Sequence, residues 1–494
     1  MKTQEQWIEY RDALAIEQRA FLNGEYCNAA QGETLEVVNP ATDDIIANIP
    51  RCQSDDVDLA VKYARQAFID GEWSQSAPSH RKEVLMKFAA LIDENTEELA
   101  MLETMDTGKP ISHSVSTDIP GSAKSIRWYA EAIDKVYGEV APTEKDVHAF
   151  VSHQAIGVVA AVVPWNFPLW LGSWKLGPAL AAGNSVILKP SEKSSLTAIF
   201  LGKLANQAGI PHGVFQVVTG FGHEAGEALA RHDDVDCIAF TGSTRVAGHL
   251  MISSGETNLK RVWAEAGGKN ANIVFEDYEN LDRAAEETAA GCFYNQGEVC
   301  VAATRLLVHE SIKEVFIDKV ITAAQRFMPK DPMDPTSAMG ALIDREHKEK
   351  VLGYLKLAQD AGAVVRCGGD VKGVGAFVEP IVIDQVDNKM RVAQEEIFGP
   401  LLCVISFQTE QEAIDIANDS KYGLGAALWS DNLNRVHRVA KKLEAGSVWV
   451  NNYNEGDMTV PFGGFKMSGN GRDKSIHAIE KFTETKTTWI RLQP

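Results

Sequence analysis

Two hydrophobic periodicities alternate along this chain. SDDVDLAVKYARQAFI from Ser54 and RKEVLMKFAALIDENTEELAMLETM from Arg81 set apolar residues three and four apart on charged surfaces, which predicts amphipathic helices on a larger body. Ahead of them, FLNGEYCNA at 21–29 and TLEVVNPATDDIIANIP at 34–50 read as short strands with turns at Asn23-Gly24 and Asn39-Pro40. From residue 155 the pattern tightens. GVVAAVVP, NSVILKP, FQVVTG and CIAFTGS are strand-length runs, separated by helix candidates GPALAAG, SSLTAIFLGKLANQAG and HEAGEALARH. A second block starts at ANIVFED (271–277) and continues through helical AAEETAAGCFY, strand TRLLVH and a helix over 311–326. QEAIDIANDS, YGLGAALWS, NRVHRVAKKLEAG and SVWVNN repeat the alternation. Strand following helix in this way favours largely parallel α/β sheets, with a ligand cleft at the carboxyl ends of the strands. The Gly267-Gly268 pair is the expected break between the two blocks. VHAFVSHQ (147–154) and KTTWIRLQP (486–494) read as isolated edge strands that pair with each other or across subunits.

With 494 residues and 45% hydrophobic composition, the chain has the material for two or three domains. Lys plus Arg number 48 against 68 Asp plus Glu, a net charge of -20, which argues against a nonspecific nucleic-acid binder. The amino-terminal MKTQEQWIEYRD has no apolar run after a basic segment, so no secretory leader is indicated. The most apolar stretch, 155–183, is broken by Pro164, Asn166, Pro168 and Lys175 and reads as strand, loop and helix, not as a membrane span. The seven cysteines, at 27, 52, 237, 292, 300, 367 and 403, are scattered and odd in number, as expected for reduced thiols in a cytoplasmic protein. No metal-binding motif is present.

Local chemistry leaves alternatives open. Cys300, in FYNQGEVCVAATR, is either a small core side chain or a sulfur exposed by the turn at Gly297 near backbone N–H donors. Glu265, ahead of a small-residue turn, is a cap, a solvated residue or a base. Asn166, in PWNFP, bonds a turn or donates to an oxyanion. Lys189 and Glu192 close SVILKPSEKS as a solvated pair or as holders of sugar hydroxyls; in the second case Glu192 repels a 2′-phosphate and selects NAD over NADP. VVTGFGHEAG, with Gly220, Gly222 and Gly226, lacks the usual GxGxxG spacing. In FTGST, Gly242 and Ser243 form either an ordinary cap or a pyrophosphate-binding helix start. In QEEIFGP one of Glu395 and Glu396 could hold a ribose and Phe398 a ring.

Together PWNFP, KPSE, FTGST, EAGGK, NQGEVC, EEIFGP and PFGGFKMSGNG resemble the NAD(P)-dependent aldehyde dehydrogenase superfamily, over essentially the whole chain. The resemblance implies an α/β fold with an atypical Rossmann cofactor domain (1–140 and 156–267), an α/β catalytic domain (268–467), and a small β oligomerisation arm (141–155 and 482–494) joined through 468–481. It implies Cys300 as nucleophile, Glu265 as general base and Asn166 as oxyanion donor. It implies Trp165, Lys189, Glu192, Gly222, Gly242, Ser243, Glu396 and Phe398 around NAD, no metal, and a homotetramer built as a dimer of dimers. The stretches GKPISHSVSTDIPGSAKSIRWYAEAIDKVYGE and VNNYNEGDMTVPFGGFKMSGNGRDKS are similar to 4-(γ-glutamylamino)butanal dehydrogenases, with betaine aldehyde, 4-aminobutanal and 4-guanidinobutanal dehydrogenases as competitors. A CoA-acylating enzyme and a noncatalytic binding protein are the remaining alternatives. For the small-molecule aldehyde, Trp170, Leu171, Trp174, Val299, Val301 and Phe462 are expected to wall an aliphatic tunnel, and Asp118, Glu298 or Asp457 to meet a distant amine or amide.

Overall fold

The computed structural model describes residues 2–493. Met1 and Pro494, the outermost residues of the expected cofactor domain and oligomerisation arm, lie outside the described residues. Two seven-stranded sheets carry the chain. The first runs Arg261–Glu265, Cys237–Thr241, Val158–Val162, Ser185–Lys189, Phe215–Val217, Ala20–Leu22, Glu25–Cys27. Its first five strands are parallel, and the last two are an antiparallel hairpin closed at Asn23-Gly24, both with positive φ. Central strands such as Ser185–Lys189 and Cys237–Thr241 are buried along their whole length, because helices cover both faces. That is why their sequences are continuous apolar runs rather than alternating ones.

The second sheet runs Val364–Cys367, Ile381–Asp384, Leu401–Phe407, Arg305–His309, Ala271–Val274, Gly425–Trp429, Ser447–Val450, and is parallel except at its first pair. The chain crosses from one sheet to the other between Glu265 and Ala271, the stretch that holds Gly267-Gly268. A third, three-stranded antiparallel sheet joins Thr483–Arg491 to Val147–Ala155 and then to Glu139–Ala141, so the two isolated edge runs pair within the chain along nine register positions from Thr483↔Ala155 to Arg491↔Val147.

Several elements escaped the periodicity. The helix Gln4–Ala13 has few apolar positions; it is held by a capping box at Thr3 and by Trp7, which is buried. Arg261–Glu265 (RVWAE) is charged at both ends and forms an edge strand that its neighbour supports. Helix Arg345–Asp360 and the strands at 364–367, 381–384 and 401–407 were not read from the sequence, although 401–407 (LLCVISF) is a buried apolar run. The helical segment read at 177–183 extends back to form Pro168–Ala181, with Pro168 in its first turn and every residue but Trp170 buried. Among the described residues all seven cysteines are free thiols, no helix is long and apolar enough to cross a membrane, and no group of three or more His, Cys, Asp or Glu is arranged to hold a metal ion.

Candidate functional site

Four neighbouring parallel strands of the first sheet end on one cavity of about 760 Å³: their last residues, Val162, Lys189, Thr241 and Glu265, line it. This is the carboxyl edge of the sheet, where the backbone stops pairing with its neighbours and side chains turn toward a ligand. The second half of the chain closes the cavity with Gly267, Cys300, His347, Lys350, Glu396, Phe398, Leu424, Phe462 and Asp473.

Cys300 reaches the cavity through a tight reversal. After helix Leu281–Phe293, three successive residues, Asn295, Gln296 and Gly297, have positive φ. A Cβ on Gly297 would stand 2.5 Å from the carbonyl of Gly399, so only glycine allows the nucleophile loop to meet the Phe398-Gly399 loop. Asn270 pins the other side: its Nδ2 donates to the carbonyls of Cys300 (2.9 Å) and Ala302 (3.0 Å), and its Oδ1 accepts from the Gly425 N–H. Burial, with the charges of Glu396 and Glu265 nearby, pushes the Cys300 thiol up to about 12.

Asn166 is tied to the same loop. Its Nδ2 donates to the Glu298 carbonyl (2.8 Å), and Asn295 Nδ2 donates to the Asn166 carbonyl (3.1 Å). One amide N–H of Asn166 remains beyond that bond. Glu265 is buried, and neither carboxylate oxygen has a hydrogen-bond partner among the described residues. Burial and the negative charge of Asp473 raise its pKa well above the carboxylate range, against the pull of Lys481, Lys175 and Arg472. Asp473 itself accepts from Lys175 Nζ (2.7 Å) and from Lys481 Nζ. Burial would raise Asp473, but these two ammonium groups outweigh it and hold the carboxyl below its ordinary range. The result is a buried ion cluster behind an unpartnered carboxylate, an arrangement that can hold or pass a proton.

The remainder of the cavity is built for a polar, extended ligand. Lys189 Nζ donates to the Pro190 carbonyl (2.7 Å), and burial lowers its pKa to about 8 against the opposing charge of Glu192. Ser243 caps helix Thr244–Gly255, its hydroxyl accepting from the Val246 N–H (3.3 Å), so the helix start faces the cavity at Gly242 and Ser243. Gly222 also lines the cavity, with open space where a Cβ would be. Of the two adjacent glutamates, Glu395 turns away to Arg391 and Tyr354. Glu396 faces the cavity and accepts from the Gly268 N–H (2.9 Å), with burial raising it to about 7. Phe398, at φ +62°, is held by its carbonyl accepting from His347 Nε2 (2.6 Å), and Trp165 stands edge-on to both rings.

The expected tunnel residues divide. Leu171, Trp174 and Phe462 line the cavity. Trp170 and Val299 pack behind them in the same aromatic cluster, and Val301 is buried in a neighbouring one, its carbonyl accepting from Tyr453. The three acidic candidates are corrected, since none lines the cavity. Asp118 is fully buried and paired with Lys109 (3.0 Å). Glu298 is buried the other way, accepting from the Ile343 N–H (2.9 Å), because the turn that presents Cys300 directs its neighbour inward. Asp457 sits on an exposed loop in an ion pair with Lys124 (2.9 Å). Lys175, His347, Asn270, Asp473 and Lys481 were missed. For Lys175 there was a signal, a lone lysine in an apolar helix, which served only to reject a membrane span.

The model of the aldehyde dehydrogenase family matches residues 26–488. The chain is 56% identical over 487 residues, 99% of this chain and 98% of the relative, to the NADP/NAD-dependent aldehyde dehydrogenase PuuC of Escherichia coli. Among solved structures, a mutant of the P. syringae indole-3-acetaldehyde dehydrogenase AldA in complex with NAD+ and IAA is 52% identical, with a TM-score of 0.99. The γ-glutamyl-γ-aminobutyraldehyde dehydrogenase from Burkholderia cenocepacia is 51% identical, with a TM-score of 0.98; each match covers 100% of both chains.

Proposed function

The chain belongs to the aldehyde dehydrogenase family, and from that premise we propose that it oxidises an amino- or amide-substituted aliphatic aldehyde, 4-(γ-glutamylamino)butanal foremost, to the carboxylate with NAD. One observation carries this reading: Cys300, Asn166 and Glu265 line a single cavity that continues to Lys189, Glu192 and Ser243. The donor set fits a dinucleotide. A lysine and a carboxylate at strand ends suit sugar hydroxyls, a capped helix start suits pyrophosphate, and Glu396 with Phe398 suits a second ribose and ring. When bound, the nicotinamide ring supplies the hydride acceptor.

The protein's own groups do the rest. Cys300 passes its proton to water in the cavity and its sulfur adds to the aldehyde carbon, while Asn166 Nδ2 and the Cys300 N–H donate to the oxyanion. Loss of hydride from that carbon leaves a thioester on Cys300. Glu265 then takes a proton from water; the hydroxide adds to the thioester carbon, the C–S bond breaks, and carboxylate and the Cys300 sulfur are released. An aldehyde-dependent rise at 340 nm with NAD, and a free carboxylate product whether or not CoA is present, are the expected results. Acyl-CoA as product, or no NAD reduction with any of the candidate aldehydes, counts against it. AldA is an indole-3-acetaldehyde dehydrogenase, so larger apolar aldehydes belong among the candidates tested.

Glu192 is proposed to set cofactor choice by repelling a 2′-phosphate. Glu192→Ser is expected to raise the ratio of kcat/KM for NADP over NAD by about tenfold, the size of one removed charge repulsion. Steady-state kinetics with both cofactors checks it, and an unchanged ratio removes the assignment. We also propose a cytoplasmic homotetramer. Its support is seven free thiols and the exposed Tyr137, Val140, Trp489, Ile490 and Leu492 on and beside the three-stranded sheet. Light scattering should give four times the 54.0 kDa chain mass; a monomer would overturn it.

A further inference from the structure

Lys474 is a cation without an assigned task beside the cavity wall. Its Nζ lies 5.4 Å from the Trp174 ring centroid and 5.8 Å from that of Phe462, and both rings line the cavity. On its other side is the loop 454–457: a Cβ on Gly456 would stand 3.1 Å from Lys474 Nζ. Asp457, on that loop, pairs with Lys124 and contributes its charge to the surroundings of Lys474. Among the described residues no hydrogen bond or ion pair engages Lys474 Nζ. The backbone holds the side chain there at a cost, since Lys474 (φ +61°) and Ser475 (φ +51°) are consecutive non-glycine residues in the left-handed region. A side chain this placed and this unpaired is either packing against two rings or waiting for an anion.

We propose that Lys474, beside the Trp174 and Phe462 rings that line the cavity, marks the far end of the substrate tunnel and recognises a terminal carboxylate on the aldehyde. The Lys474 ammonium takes that carboxylate. The inference rests on the function proposed above and narrows it. Aldehydes whose far end is only cationic meet an unpaired ammonium, whereas an uncharged amide followed by a terminal carboxylate meets the opposite charge. In 4-(γ-glutamylamino)butanal about eight bonds separate the aldehyde carbon from the carbon bearing both charged groups, a reach of about 10 Å when extended. Phe462 shares an apolar cluster with Cys300 and also borders Lys474, which connects the two ends of the tunnel.

The test compares Lys474→Gln and Lys474→Glu with the unmodified enzyme on 4-(γ-glutamylamino)butanal, 4-aminobutanal and hexanal, with NAD throughout. For Lys474→Gln, the kcat/KM ratio of the glutamyl aldehyde over hexanal should fall about tenfold, and for Lys474→Glu the ratio of 4-aminobutanal over hexanal should rise by a similar factor. The unmodified enzyme supplies a readout that does not depend on folding of a variant: added NaCl should raise KM for the glutamyl aldehyde more than for hexanal. Equal salt responses, or ratios unmoved in both variants while hexanal is still oxidised, overturn the inference and leave the dehydrogenase reading standing. An unmodified enzyme that oxidises none of the three overturns both.

Discussion

Cys300→Ala is expected to abolish aldehyde-dependent NAD reduction, lowering kcat by at least about four orders of magnitude, because the reaction then lacks the atom that forms the covalent bond. Cys300→Ser should recover little, since a hydroxyl is a far weaker nucleophile than a thiolate at neutral pH. The surroundings sharpen the expectation. Burial and the carboxylates of Glu396 and Glu265 push the thiol to about 12, so the sulfur rests protonated and must be deprotonated within the cavity before it reacts. None of the other six thiols is a substitute. Cys52, Cys237, Cys292 and Cys403 are buried in cores, and Cys27 and Cys367 sit on strands outside the cavity. Circular dichroism should show an intact fold, and mass spectrometry of the unmodified enzyme quenched during turnover should place the acyl group on the peptide containing Cys300. An adduct on another residue, or turnover surviving the substitution, would refute the covalent mechanism.

Glu265→Gln should separate the two halves of the reaction. Steady-state kcat is expected to drop by about two to four orders of magnitude, the usual reach of a general base. A rapid burst of reduced cofactor, near one per active site, should survive, because hydride loss precedes attack by water. The pH dependence follows from the direction of the shift. Burial and Asp473 raise the Glu265 carboxyl well above its ordinary range, so the base is protonated and idle at pH values where an exposed glutamate is ionised. The unmodified enzyme should therefore speed up as pH rises through that elevated pKa, and the limb should be missing in Glu265→Gln. Loss of the burst together with turnover would instead assign Glu265 to deprotonating Cys300. Stopped-flow absorbance across pH distinguishes the two.

The residues around these two side chains differ in how legible they were. Cys300 drew attention through the glycine three positions before it, and the structure shows why that spacing matters: Gly297 closes a left-handed run that no side chain would permit against Gly399. The strand ends at Lys189 and Thr241 followed from apolar runs stopping at polar residues, a local signal of where a buried strand leaves the sheet. The acidic tunnel residues misled for the opposite reason. Asp118, Glu298 and Asp457 are ordinary carboxylates in sequence, and nothing local tells that the first meets Lys109, the second the Ile343 N–H and the third Lys124. The region between helix 311–326 and residue 410 was opaque as well. Strands 364–367 and 381–384 are only four residues long, and the first turns of helix Arg345–Asp360 are densely charged.

By itself the sequence determined the alternation of buried strand and covering helix, the glycine positions where backbones cross closely, and the presence of a sulfur, an amide and a carboxylate in the local settings their chemistry needs. Those are properties of a few neighbouring residues, set by periodicity and steric allowance. Tertiary structure alone decided which charges meet. Lys175, Glu265, Asp473 and Lys481 lie up to some three hundred positions apart, yet form one buried cluster. Likewise only the fold brought Lys474 beside Trp174. Electrostatic partnership depends on distance in space and exclusion of water, and a linear pattern carries neither.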